Sequence, residues 1–354
     1  MKERICKLCK KNRASSIASH IFSHFFIKSM LNPLDEDKRG YGSSYKISGS
    51  KFLDIFFERE YSADKITEVL GREITDEEID SLTDHYAVKY ILCKDCEDKM
   101  ERIESHFNDN LFKIVFDNKS TSKTKVNNQI IHSVQNADNN IVRLFIISLI
   151  WRSSIANIGS FSLEHKIQEK LRVLLDKSLD LNLQELKKKS KANGREIRSF
   201  PLILFSTRFF SDTTSNLVHI HKSNGPYFFK INEYIILFGT KWNQIKNNKN
   251  DFYGLSKLIN YKESINLNET EIKVTELPGS DFQSIKKEIF SLLAKNFINE
   301  IVKIFEIIYE KFNQENPTNE TIQTFLDDFS NEDITIAEKY SIENIKRKIL
   351  KNLN

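Results

Sequence analysis

Residues 90–99 read Tyr90-Ile91-Leu92-Cys93-Lys94-Asp95-Cys96-Glu97-Asp98-Lys99, and the Cys93-Lys-Asp-Cys96 within them repeats the spacing of Cys6-Lys-Leu-Cys9. These two pairs hold all four cysteines of the 354-residue chain, so none is left for packing or a disulfide. A two-residue spacer lets both thiolates of a knuckle reach one tetrahedral ion at about 2.3 Å, and two knuckles complete a closed four-sulfur shell. The expectation is one structural zinc ion held by Cys6, Cys9, Cys93 and Cys96. A redox pair would sit between a strand and a helix of a thioredoxin-like unit, which the sequence does not show, and disulfides are disfavoured in a cytosolic chain.

Working outward, the span between the pairs, residues 10–92, is too long for a simple finger and must contain structure of its own. Phe52, Leu53, Ile55, Phe56 and Phe57, then Ile66, Val69 and Leu70, suggest short helices there. A first domain is expected over 1–116. A polar stretch from Asp117 to Asn128 cannot bury apolar surface, which places a linker or exposed loop over 117–140. The remainder, 141–354, reads as a helical domain with a small β-sheet at about 198–241.

Within that domain Ile141–Ser153 is an almost unbroken apolar run, too long for an ordinary strand, and fits a buried helix. Leu163, Ile167, Leu171, Leu174 and Leu175 follow at helical spacing and predict an amphipathic helix packed on it. Phe200–Phe210, Leu217–His221, Tyr227–Ile231 and Tyr234–Phe238 predict strands, the last two joined by Asn232-Glu233. One long helix is expected after Pro278, opened by a capping box of Ser280 and Gln283 and ended by Pro317. A last helix is expected from Ile334 to Leu350. The fold class is α+β: an N-terminal zinc-bound unit, then a mainly helical domain with a small antiparallel sheet.

Composition excludes little. The net charge of +4 spreads 53 basic residues among 49 acids, so lysine runs such as Lys187-Lys188-Lys189 read as solvated helix face. The longest apolar run falls short of the ~20 residues a membrane span needs. Met1-Lys-Glu-Arg-Ile-Cys lacks the apolar segment of a secretory signal, and a cytoplasmic location with no membrane partner is expected.

Three features stand in order: the Cys6/Cys9 knuckle, Ala18-Ser19-His20-Ile21, and Leu92-Cys93-Lys94-Asp95-Cys96-Glu97-Asp98-Lys99. This arrangement resembles the zinc-stabilised branch of the HNH endonucleases, a ββα-metal unit of treble-clef type. It resembles more closely uncharacterised bacterial proteins with a Ser-His-Ile variant of that core, a Cys-Glu second knuckle and a downstream Trp-Arg helix, here Ile147-Ser-Leu-Ile-Trp151-Arg152. The resemblance covers the front third and that helix. It implies a nucleic-acid-binding protein that cleaves phosphodiester bonds, acting in bacterial defence, with DNA as partner. His20 would be the general base, and Glu97 would take the place of the helix ligand to magnesium or manganese. Ser19 departs from the acidic or histidine ligand of the pattern. A second reading is a non-catalytic zinc module for nucleic acid or a partner protein.

Blander roles stand beside these. His20 could hydrogen-bond behind the knuckle, and Glu97 is a favoured acid in a first helical turn. His24, four residues from His20, would share a helix face with it; His106 reads as surface. His219 and His221 point to one face of a strand with no third ligand near in sequence. Arg152, closing an apolar helix, is expected in a structural ion pair, because a buried guanidinium is costly without a partner.

Overall fold

This computed structural model describes residues 4–23, 25–26, 43–48, 51–57, 87–116, 121–126, 129–158, 161–207, 218–221, 226–246, 252–255, 264–266, 271–330 and 342–352. The chain opens with β1 (Ala18–His20), β2 (Ser43–Ser48), β3 (Lys51–Phe57) and β4 (Ala87–Lys89), followed by α1 (Lys94–Phe107). A π-turn at Asn108–Phe112 leads into α2 (Lys113–Phe116), then β5 (Thr121–Val126) and β6 (Gln129–Val134). Four helices follow: α3 (Asn139–Ile155), α4 (His165–Leu179), α5 (Leu183–Asn193) and α6 (Arg195–Arg198). Next come β7 (Leu202–Ser206), β8 (Val218–His221), β9 (Tyr227–Ile231) and β10 (Tyr234–Phe238). The described chain ends with α7 (Trp242–Lys246), β11 (Ile272–Glu276), α8 (Gly279–Asn313), α9 (Asn319–Ser330) and α10 (Ile342–Lys351).

Two compact units emerge, one of residues 1–39 and 85–286 and one of 40–84 and 287–354. In the first unit a seven-stranded sheet runs in the order β5-β6-β11-β7-β10-β9-β8, antiparallel throughout except for the β11–β7 pair. The protein is thus mixed α and β, but its sheet is larger than the small antiparallel one expected. Residues 121–126 and 129–134, expected as linker, form its β5 and β6. The reason is visible in β6: Ile131 and Val134 are buried, and two apolar anchors suffice when the neighbouring strands supply the hydrogen bonds. The hairpin of Tyr227–Ile231 and Tyr234–Phe238 forms as the sequence predicts, with Asn232 at φ 50° in the turn.

Helix α3 is the axis of this unit. Every residue from Asn139 to Ser154 is buried, so a helix apolar all round has found neighbours all round. It packs on α1, α4 and α5, and its core merges with the sheet face carrying Leu202, Leu204, Phe229 and Ile236. Asp138 caps it, its carboxylate accepting from the Asn140 and Ile141 N–H groups. The two arginines inside are both tied down. Arg143 donates to Asn139 Oδ1 at 2.9 Å and to the Phe200 and Asn266 carbonyls.

In the second unit β2 and β3 pair as an antiparallel hairpin. Phe52–Phe57 is therefore strand, where short helices were expected; its aromatic and β-branched side chains suit an extended chain. Ile66, Val69 and Leu70 lie outside the described residues. Helices α8, α9 and α10 meet around Ile301, Phe305, Phe325 and Ile349, with the Phe305 and Phe325 rings stacked at 4.3 Å. The long helix after Pro278 is present, but it starts at Gly279, and the Pro278 carbonyl accepts its first N–H from Phe282. Ser280 thus lies inside the first turn and not at its cap. Among the described residues no helix is long and apolar enough to cross a membrane.

Candidate metal centre

The knuckle at Cys6–Cys9 is a tight turn. Lys10 N–H returns to the Cys6 carbonyl at 3.1 Å, and Lys10 adopts φ 55°, which reverses the chain while Leu8 is pressed into the core. Main-chain bonds stitch this turn to the second pair: Lys7 N–H to Ile91 O and Ser15 N–H to Leu92 O, both 2.8 Å. Strands β1 and β4 pair antiparallel just beyond, Ser19 facing Val88. The Cys93 carbonyl accepts from the N–H groups of Cys96 and Glu97, so the second pair forms the opening turn of α1. The first knuckle is also held against α4, where Arg172 donates to the Leu8 carbonyl at 2.5 Å and Lys10 pairs with Glu169 at 2.8 Å.

The result is convergence of all four sulfurs, within 4.8 Å of one another, with Cys6, Cys93 and Cys96 buried. No other such group of His, Cys, Asp or Glu occurs among the described residues. Asn12 Nδ2 lies 3.8 Å from Cys93 Sγ and 3.1 Å from Asp95 Oδ2, a polar contact behind the sulfurs. Four thiols so close cannot all ionise unaided. Cys6 is drawn down to about 4 by hydrogen bonding from Cys96. Cys96 rises through that same bond and burial, and Cys93 chiefly through burial. A divalent cation supplies the charge that lets every sulfur become thiolate, so the cluster could hold a metal ion.

Beside it lies a second polar group. Ser19 is buried on β1, His20 is exposed at the strand's end, and Glu97 is half-buried in the first turn of α1. Burial pushes the Glu97 carboxyl up; the Ser19 hydroxyl, Arg152 and His20 pull it back, and Glu104 adds to the rise. These side chains are near enough to act on one another, and both Ser19 Oγ and Glu97 Oε1 are shut off from solvent. Arg152, buried at the end of α3, organises the group. It donates to the His20 carbonyl at 2.7 Å and pairs with Glu104 at 2.5 Å, the structural ion pair expected from sequence.

Other histidines differ from expectation. His24 lies outside the described residues. His106 is not on the surface: it is 5 % exposed, its Nε2 accepts the Asp138 N–H at 3.2 Å, and its Nδ1 lies 3.2 Å from the Asn110 amide. It ties α1 to the cap of α3, where an imidazole fits because its two nitrogens meet polar groups and its ring is apolar. Burial holds its pKa down at about 4. An unfolded histidine near 6.5 binds a proton that the folded one refuses, so this residue's stabilisation is full above pH 6.5 and declines as pH falls toward 4, by about 3 kcal/mol in all. His106→Gln should flatten the stability difference between pH 7 and pH 5 in urea unfolding. Parallel pH dependence of variant and wild type would refute this.

Lys187 and Lys188 are exposed on α5, as a solvated face requires. The basic segment that sequence reasoning passed over is the first knuckle itself: Arg4, Lys7, Lys10, Lys11 and Arg13 are all exposed, with no acid between residues 4 and 13. A charge count by window would have found it. Compared with protein families, curated proteins and solved structures, the chain matches none.

Proposed function

We propose that the four cysteines hold zinc and that the unit they clamp is HNH-like, binding nucleic acid and cleaving phosphodiester bonds with magnesium or manganese. A closed four-sulfur shell favours zinc in a structural role. The observation that carries the catalytic reading is that Glu97 Oε1 is buried in the first turn of α1, near enough to exposed His20 for the imidazole to act on it. A carboxylate oxygen in that position suits a hard cation. Arg152 pairs with Glu104 and also draws the Glu97 carboxyl toward its ionised form, the form that would balance the ion.

Such an ion, when bound, supplies charge stabilisation at the leaving oxygen. His20 accepts the proton of the attacking water, and Arg152 fixes the backbone from which that imidazole projects. The basic knuckle supports a phosphate-bearing partner, because five basic side chains are exposed between residues 4 and 13 with no acid among them in sequence. A role in defence against foreign DNA rests on the resemblance alone.

The second reading, a non-catalytic zinc module, is favoured by Ser19. It is buried and a poor ligand at the position where HNH enzymes carry an acid or histidine. Plasmid nicking separates the two. His20→Ala and Glu97→Ala are expected to lower magnesium- or manganese-dependent nicking by about 10²–10⁴-fold while about one zinc per chain is retained. Wild-type protein that binds DNA but never nicks it with either ion would leave only the module.

A further inference from the structure

On the far side of the sheet from α3, two histidines and a tyrosine meet. Strand β8 is an edge strand, and its alternation sends Val218 and Ile220 toward the main core while His219 and His221 share the opposite face. Tyr253, in a short turn at Phe252–Gly254, has φ 55° and ψ 40°, a left-handed backbone uncommon for a bulky residue. Phe252 stacks on Phe228 at 5.6 Å, which seats the turn over β9. The phenol oxygen then lies 2.7 Å from His219 Nε2 and 2.9 Å from His221 Nδ1. Three donor atoms, two nitrogens and an oxygen, are gathered at one point.

We propose that His219, His221 and Tyr253 form a second metal site, open to solvent, for a borderline divalent transition-metal ion such as copper(II) or nickel(II). The spacing carries the argument. Donors about 2.1 Å from an ion stand about 3.0 Å apart at right angles and about 3.4 Å apart at a tetrahedral angle. The two observed separations lie near the right-angled edge of octahedral or tetragonal coordination, and an ion entering among the donors replaces the two hydrogen bonds that now join them.

Imidazole nitrogen and phenolate oxygen are a donor set that copper and nickel accept, unlike the all-sulfur cluster. Each imidazole presents one ring nitrogen toward the phenol oxygen, and a neutral imidazole nitrogen is the ligand form such an ion takes. Coordination releases one proton, that of the Tyr253 hydroxyl, to solvent. Lys230, paired with His219 across the strands, is the nearby cation. It is buried, donates to the Asn232 carbonyl at 2.9 Å and lies over the Phe282 ring, so its ammonium already has partners of its own. His219 and His221 are each partly exposed, which leaves coordination positions for water or a small ligand.

The test uses full-length protein already loaded with zinc. Copper(II) is titrated and followed by visible absorption and electron paramagnetic resonance. One copper per chain beyond the zinc is expected, with a phenolate-to-copper charge-transfer band that Tyr253→Phe abolishes. His219→Gln/His221→Gln should weaken binding at least tenfold. If the three residues are only a hydrogen-bonded brace, Tyr253→Phe alters stability and leaves copper uptake unchanged, and the proposal is overturned. A band that survives in Tyr253→Phe overturns it equally.

Discussion

Cys93→Ser is expected to reduce the zinc content of the purified protein from about one ion per chain to near zero and to unfold the β1–β4 pair and the start of α1. Cys93 is the hinge of the cluster. Its sulfur is 3.9 Å from that of Cys9, and its carbonyl accepts from the Cys96 and Glu97 N–H groups in the first turn of the helix. Serine keeps the carbonyl but offers no thiolate, and three sulfurs do not close the shell. Structural zinc sites bind with about 10–16 kcal/mol in small peptides, and that binding energy is folding energy. An ion held there would also close the long span between the pairs. By the chain-entropy reckoning used for crosslinks, such a loop is worth about 4–5 kcal/mol. Unfolding should extend to Leu8, Ile91, Leu92 and Met100, which share one core with α3. Because the chain has two units, metal analysis and local proteolysis are better readouts than a single melting temperature. A Cys93→Ser protein that retains stoichiometric zinc would sink the assignment.

What could be read in advance follows a physical division. Elements whose signal is local were legible: the two knuckles, the apolar helix α3, the amphipathic α4 and the β9–β10 hairpin each carry their own periodicity or spacing. Elements that depend on distant partners were not. Strand β5, Thr-Ser-Lys-Thr-Lys-Val, has almost no apolar content and exists because β6 lies beside it. His106 looks like a surface residue until α3 supplies Asp138. The same holds for the sites. The four cysteines announce themselves through spacing, whereas His219 and His221 gain a third donor only when the fold returns Tyr253 from more than thirty residues away. Arg152 lies between these cases. Its burial cost was legible, and so was its need for an acid, but not that Glu104 and the His20 carbonyl would answer it.

Arg152→Ala is expected to destabilise the first unit by about 3–5 kcal/mol, the cost of removing one partner from a buried charged pair. The guanidinium is 1 % exposed, and its loss strands the Glu104 carboxylate and the His20 carbonyl together. It also removes the cation that draws Glu97 down, so burial would raise the Glu97 carboxyl further. The double variant Arg152→Met/Glu104→Gln separates these effects, since it removes both charges while keeping much of the volume. Its stability should return to within about 1–2 kcal/mol of wild type, because a buried ion pair replaced as a whole costs little. Nicking should not return with it. Without Arg152 the His20 carbonyl loses the bond that fixes the end of β1, and the imidazole loses its orientation even in a folded protein. Recovery of both stability and nicking would reduce Arg152 to a packing residue. Recovery of stability alone would make it the positioning residue that links the apolar helix to the site.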